Sequence, residues 1–435
     1  MPRSVHRRRF LQETAAATTF YLSLPYARGD TKRSSPNDRV NLGIIGVAAR
    51  GADNLKGVVA EDSVNIVALC DVDENRAGKA REAHPNATYT QDFRKLIDQK
   101  NIDAIVVSTP DHMHAIPTLA ALRSGRHVYC EKPLAHTVRE IRLVRETAAK
   151  TGLVTQMGTQ IHAGDNYRRV VEIVQAGVLG PIKRVHVWVN VKPSSGYLAK
   201  METTPPTGLN YDLWLGPAPY RPYDKSHLHF VWRWWWEFGG GVLADMACHH
   251  IDLPTWALGL KAPTQITAKG EVKHEGDNPM PDIMQVDYQY PARLNQVPVH
   301  LTWYHGVEGP SLSGDVKYKG FKSGTLFEGE KGQLVADYNK HKLLPEDKWQ
   351  GFAPPEQTIP KSLGHHREWI EAIRNKGTTT CNFDYSGALA EAVLLGNVAY
   401  RSGEEVQWDA AHASIPNSAK AAAYLDKEYR KGWSL

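Results

Sequence analysis

The chain has 435 residues, 42% of them hydrophobic, and a formal charge of +5 at neutral pH, which fits two globular domains with extensions. Part of that charge sits in the first 33 residues, so a nucleic-acid surface gets little support. Cys70, Cys130, Cys248 and Cys381 lie far apart, which excludes a Cys-x-x-Cys site and a disulfide scaffold and leaves buried thiols as the expectation. Residues 1–38 read as an export signal and linker: Arg7-Arg8-Arg9-Phe10-Leu11 precedes a weakly apolar run over 13–24. This resembles a twin-arginine signal and predicts a periplasmic or cell-envelope protein. The run is too short and too polar for a stable membrane span, and no other stretch qualifies as one.

Apolar runs over Val40–Ile45, Val64–Cys70, 104–108, His127–Cys130 and 153–157 predict strands. Helical stretches fall between them over 75–83, 92–99, 115–124 and Val138–Thr151. This alternation predicts βαβ units and a parallel sheet, hence an α/β fold whose Rossmann domain spans 39–158. The pattern then changes. A strand over 183–191, an irregular aromatic-rich region over 193–241, and strands over 264–272, Ile283–Tyr290, 297–304 and 332–338 follow. They predict an α+β domain over 159–435 with a large, open, mostly antiparallel sheet. Helices over 365–375 and 385–402 are expected to pack back on the first domain.

Chemistry concentrates at strand ends. Glu131-Lys132-Pro133 closes the fourth apolar run, where open parallel sheets place their ligands. Partial desolvation there would lower the pKa of Lys132 and suit it to proton transfer; the competing reading is a solvated surface turn. Gly46-Val47-Ala48-Ala49-Arg50-Gly51 follows the first strand in G-x-A-x-x-G order. It makes Gly46, Ala48, Arg50 and Gly51 candidate dinucleotide contacts, with Ala48 in place of the usual central glycine. Asp71, at the end of the second strand, is placed to accept from the adenosine ribose and favours NAD over NADP; the alternative is a helix cap.

These segments, with Cys70-Asp71-Val72-Asp73, Ser108-Thr109-Pro110-Asp111-His112-Met113-His114 and Glu131-Lys132-Pro133-Leu134, resemble the glucose–fructose oxidoreductase / inositol dehydrogenase / MocA family. The resemblance implies NAD as cofactor, a small carbohydrate as substrate, and a homo-oligomer, dimer or tetramer, formed through the open sheet. It implies that Thr109, Pro110, His114 and the Glu131-Lys132 turn line the cofactor site. It also implies that Lys132 reaches the substrate and that Gln160 and His162 do so from beyond the fifth strand.

Gly239-Gly240-Gly241 opens a second informative stretch, in which Asp245 and His249 are four apart and share a helix face. A base must take the hydroxyl proton during hydride removal from a carbinol, and a histidine tuned by a carboxylate does this. The family's Asp-x-x-x-His pair falls on Asp245 and His249, and Lys132 would then stabilise alkoxide character. A merely structural pair is the alternative. Metal binding by His249, His250 and Asp252 is disfavoured, since adjacent helical residues point about 100° apart; no metal is expected. Arg233, Trp234 and His250 are candidate substrate contacts, with Tyr197, His227 and His229 as further pocket candidates; a buried aromatic cluster at 230–236 competes with that reading.

The leading function is a NAD-dependent oxidoreductase acting on a sugar or glycoside, redox-neutral with tightly held cofactor because export removes it from the soluble NAD pool. A glycoside hydrolase, lyase or epimerase using transient oxidation is the alternative. A non-catalytic exported sugar-binding protein is a second, which the alanine at 48 keeps open.

Overall fold

The computed structural model describes residues 39–435 apart from 195, 197–203, 294–295 and 308–319. The twin-arginine motif and Tyr197 lie outside the described residues.

The first half is a wound parallel sheet. Its elements are β1 (Val40–Ile45), α1 (Arg50–Val59), β2 (Val64–Cys70), α2 (Glu74–Ala83), β3 (Thr88–Thr90), α3 (Phe93–Ile97), β4 (Ala104–Val107), α4 (Ala115–Arg123), β5 (His127–Cys130), α5 (Val138–Thr151) and β6 (Thr155–Met157). The strands order as β3-β2-β1-β4-β5-β6, all parallel. Both faces are covered, so β4 is buried throughout and its sequence is a continuous apolar run. The order reverses between β1 and β4, and a crevice opens at the carboxyl ends of those strands. The short β3 carried no apolar run and was not expected.

The second half follows α6 (Asp165–Gln175). It contains β7 (Ile182–Val189), α7 (Tyr211–Leu215), α8 (Gly241–His250), α9 (Asp252–Leu258), β8 (Gln265–Glu271), β9 (Ile283–Tyr290), β10 (Val299–His305), β11 (Gly324–Gly329), β12 (Gly332–Ala336) and β13 (His341–Leu344). After α10 (His365–Arg374) and α11 (Phe383–Ser402), β14 (Val406–Gln407) completes an eight-stranded sheet among the described residues, ordered β13-β12-β11-β7-β10-β9-β8-β14. Only the β7–β10 pairing is parallel. Alternate burial along β9 shows one face fully packed and the other partly covered. The glycine-bounded β11 and the helices α6 and α9 are additions to the expected elements.

The last two long helices tie the halves together. On α10, the His366 ring lies 3.0 Å from Asn54 Oδ1 of α1 and stacks on Tyr129 of β5. On α11, Glu391 receives the Arg142 guanidinium of α5. All four cysteines are buried and free. No helix among the described residues is long and apolar enough to cross a membrane.

Candidate active site

A cavity of about 860 Å³ runs from the β1–α1 turn to the second half of α8. At one end Gly46, with φ of +81°, makes the turn; a Cβ there would stand 2.5 Å from the Ser108 carbonyl oxygen. A Cβ on Gly51 would stand 1.9 Å from the Gly46 carbonyl oxygen, so the first turn of α1 closes on the strand only with glycine. The positive φ in the middle of the turn falls on Ala49, at +49°, not on Ala48. Ala48 therefore carries no positive-φ strain, which sits one residue later at Ala49. Arg50 pairs with Asp53 at 3.4 Å and lines the cavity.

Asp71 lines the same end and accepts from the backbone N–H groups of Val47 (3.0 Å) and Asp73 (3.1 Å). Burial raises its pKa against those bonds and against Arg76. The helix cap is supplied by Asp73, which accepts from Asn75 N and pairs with His229. Asp71 is thus left to face the cavity.

The wall is built from the β4 and β5 ends. The His114 ring lies 2.6 Å from Pro133 O and 2.8 Å from Thr109 O, and so joins the Thr109-Pro110 turn to the Glu131-Lys132-Pro133 turn. Burial lowers its pKa to about 4, against the two carbonyl contacts, which favour the charged ring. Thr109 Oγ1 is buried without a partner on the cavity wall. Glu131 accepts from Asn54 Nδ2 (2.9 Å) and Gln160 Nε2 (2.8 Å), and its pKa is raised by burial.

At the far end Lys132 Nζ donates to Asp245 Oδ1 and to the Asp245 backbone carbonyl, both at 2.5 Å. Arg233 approaches the other carboxylate oxygen at 3.4 Å. Its guanidinium is held over Phe230 (4.1 Å) and Trp232 (4.5 Å). Burial alone would lower the Lys132 pKa, but Asp245, Glu131 and Asp111 outweigh it and raise it above the ordinary lysine value. The expected depressed lysine is corrected: Lys132 is a buried ammonium. Burial would raise Asp245, but Lys132 and Arg233 hold it well below the usual carboxylate range.

His249 lines the cavity on the same face of α8 as Asp245. Burial, then the Lys132 charge, push its pKa well below the ordinary imidazole value, so it is neutral at physiological pH. The carboxylate reaches Lys132 and Arg233 rather than hydrogen-bonding His249. Asp245 therefore fixes the lysine's charge and not the histidine's tautomer, contrary to expectation.

Four expected substrate contacts lie behind the cavity. Gln160 orients Glu131 and Tyr129. His162 is buried against Asp252 (3.0 Å) and stacks on Trp256. His250 stacks on Tyr338 and shares a 2.9 Å hydrogen bond with its hydroxyl. Trp234 is in the core, its indole N–H donating to Ser194. Consecutive residues of a short helical turn face different ways, so Trp232 and Arg233 reach the cavity and Trp234 does not. His227 is likewise buried, against Trp235 and Phe238, whereas His229 lines the cavity.

The structure adds Asp111, Arg76, Phe93 and Trp433 to the lining. Asp111 lies inside the Thr109–His114 motif, and burial, opposed by Lys132 and Arg233, raises its carboxyl to about 7. Among the described residues no three His, Cys, Asp or Glu side chains gather as a metal site.

A wound parallel sheet with its crevice at the switch point, joined to an open-sheet domain that brings titratable groups to that crevice, defines a dinucleotide-binding class of two-domain proteins. Residues 40–159 match an oxidoreductase family with an NAD-binding Rossmann fold, and residues 164–435 match the C-terminal alpha/beta domain of the same family. The chain belongs to the Gfo/Idh/MocA oxidoreductase family.

Curated relatives include a glycosyl hydrolase family 109 protein of Shewanella sp. (strain W3-18-1), 28% identical over 41% of this chain and 44% of the relative. An inositol 2-dehydrogenase of Salmonella typhimurium is 31% identical over 34% of this chain and 45% of the relative. The match thus spans under half the length of either. Among solved structures, the WlbA dehydrogenase from Bordetella pertussis, in complex with NADH and UDP-GlcNAcA, superposes with a TM-score of 0.60 at 18% identity, covering 85% of this chain and 99% of that one. A levoglucosan dehydrogenase, in complex with NADH and levoglucosan, gives 0.58 at 17% over 85% and 99%. These likenesses establish the shared fold.

Proposed function

We propose that the protein is a NAD-dependent oxidoreductase that removes a hydride from a carbinol carbon of a sugar or glycoside. One observation carries the reading: a single cavity has the glycine turn and Asp71 at one end and Lys132, Asp245, Arg233 and His249 at the other. The close approach at Gly46 and Gly51 and the orphaned Thr109 hydroxyl fit a dinucleotide. The β1–α1 turn with Arg50 would hold its phosphates on the N-terminus of α1, and Asp71 its adenosine ribose; Thr109, Pro110, His114 and Glu131 form or brace the wall between. NAD, when bound, supplies the hydride acceptor.

The chain's own residues handle the proton and the charge. Neutral His249 accepts the hydroxyl proton as the carbon gives up hydride and the carbonyl forms. The Lys132 ammonium donates to the same oxygen and lowers the cost of its developing negative charge. Arg233, fixed between two rings, presents donors to neighbouring hydroxyls.

A second reading has a specific support in the glycosyl hydrolase family 109 relatives. There hydride would pass from a ring carbon to bound NAD, the acidified proton on the neighbouring carbon would be removed, the aglycone would leave from the carbon beyond it, water would add to the resulting double bond, and the hydride would return to product. A retained cofactor suits this cycle, and so does export on the Arg7-Arg8 signal to the periplasm or cell envelope. The partly covered face of the eight-stranded sheet, which carries Arg184, Asp287 and His300, is the candidate surface for self-association as a dimer or tetramer.

The test is mass spectrometry of the nucleotide released from purified protein after dialysis, followed by a screen of sugars, cyclitols and glycosides for reduction of that nucleotide or for change in the sugar. Bound or bindable NAD with a responsive sugar supports the reading. A protein that binds sugar but no nucleotide would be the non-catalytic binding module instead.

A further inference from the structure

Residues 426–435 cross the face of the first domain as a strap. Lys427 Nζ lies 2.8 Å from Glu140 Oε1, and the Tyr429 hydroxyl donates to the same oxygen at 2.5 Å. Glu140 is fully buried and also closes the capping box of α5, so this anchor is part of the core. The Arg430 side chain then clips onto α7, with Nε donating to Gly216 O at 3.0 Å and Nη2 to Asp212 O at 2.8 Å. Three residues later Trp433 reaches the cavity. Its ring lies 6.3 Å from Phe93, and the Arg94 guanidinium carbon lies 5.2 Å from the ring centroid. Trp433, Phe93 and Leu213 line the cavity at the end that holds Asp71 and Val72. That end has no other need for an aromatic: the titratable groups that would act on substrate are at the opposite end.

We propose that Trp433 is the outer wall of the adenine slot and that the strap is a clasp governing how fast the dinucleotide leaves. The inference rests on reading the cavity as a NAD site. An indole face beside an apolar slot gains from stacking on a flat heterocycle and from covering it against water. The anchors at Glu140 and Asp212 pre-order the ring, so little side-chain freedom is lost when the slot fills. A cofactor retained through many turnovers needs such an outer wall, because Asp71 and the glycine turn leave the adenine side open.

The experiment compares full-length wild type, Trp433→Ala and Trp433→Phe. Affinities for NADH, ADP-ribose and reduced nicotinamide mononucleotide are read by fluorescence or calorimetry, and NADH release by stopped flow. Trp433→Ala is expected to weaken NADH and ADP-ribose about tenfold and to speed NADH release by a similar factor, the scale of one aromatic stacking contact. The mononucleotide, which lacks adenine, should bind all three proteins alike, and Trp433→Phe should keep most of the affinity. Unchanged NADH and ADP-ribose binding in Trp433→Ala would overturn the clasp and leave the NAD site standing, as would an equal loss for all three ligands. Wild type that binds none of them would overturn the site itself.

Discussion

Asp245→Asn isolates the electrostatic core of the site. In the native protein Lys132 stays charged because Asp245 Oδ1 lies 2.5 Å from its ammonium. A charge pair about 4 Å apart at an effective dielectric of about 20 is worth about 4 kcal/mol, or about three pKa units. Burial of a lysine without such a partner pulls its pKa down by up to about 3–5 units. Glu131 and Asp111 remain to oppose that fall, while Arg233 loses its partner and adds repulsion. The Lys132 pKa should therefore drop from above the ordinary lysine value to below it. Competitive acetylation across a pH series, read at Lys132 by mass spectrometry, measures it without a known substrate. Where a substrate is in hand, kcat/KM of wild type should hold to high pH, and that of the variant should decline at a lower alkaline pH, as the ammonium donor is lost. If Lys132 in Asp245→Asn still titrates above about 10, the ion pair is not what holds it charged, and the assignment of Asp245 is wrong.

Lys132→Ala and His249→Ala should each lower turnover by roughly two to four orders of magnitude while NADH binding persists, since each removes a group that acts on the carbinol; titration alongside steady-state kinetics separates the two effects. Because the His249 pKa is lowered, its base form should be lost only on acidification below the ordinary imidazole value, so the acid limb of kcat/KM should lie below pH of about 6.5 and vanish in His249→Ala. Asp71 should repel a 2′-phosphate, so apo-protein is expected to bind NAD more tightly than NADP; equal or tighter NADP binding in paired titrations would overturn the role given to it. Ala49→Gly should stabilise the fold by about 1 kcal/mol by relieving the +49° φ, measured as a shift of the denaturation midpoint at unchanged m-value.

Much of the architecture was legible because its signals are local. Val40–Ile45, Val64–Cys70 and His127–Cys130 are apolar runs that stop at a glycine or a charge, and each is a strand with those bounds. The same holds for one end of the cavity: Gly46, Gly51 and Asp71 stand where their own backbone places them. What stayed hidden is what depends on distant partners. The charge of Lys132 is set by Asp245, more than a hundred residues on, and reverses the shift that burial alone would give. The facing of a 3₁₀ turn decides that Arg233 reaches the cavity and Trp234 the core, and no periodicity across Trp232–Trp236 reveals it. His162 has the chemistry of a site residue but is spent on Asp252 inside the fold. Trp433 lies far along the chain from Phe93 and carries no motif.

The central claim is that Lys132 and His249 act on a carbinol whose hydride passes to NAD held in the same cavity. Rapid mixing of NAD-loaded protein with a responsive sugar, carrying protium or deuterium at the reacting carbon, follows the reduced-nicotinamide band within the first turnover. The account expects that band to rise in wild type, more slowly with deuterium, and to stay flat in Lys132→Ala and His249→Ala. It would then persist in net oxidation or fall again if the hydride returns to product. Sugar conversion with no rise of the band in any phase, and no isotope effect, would contradict it.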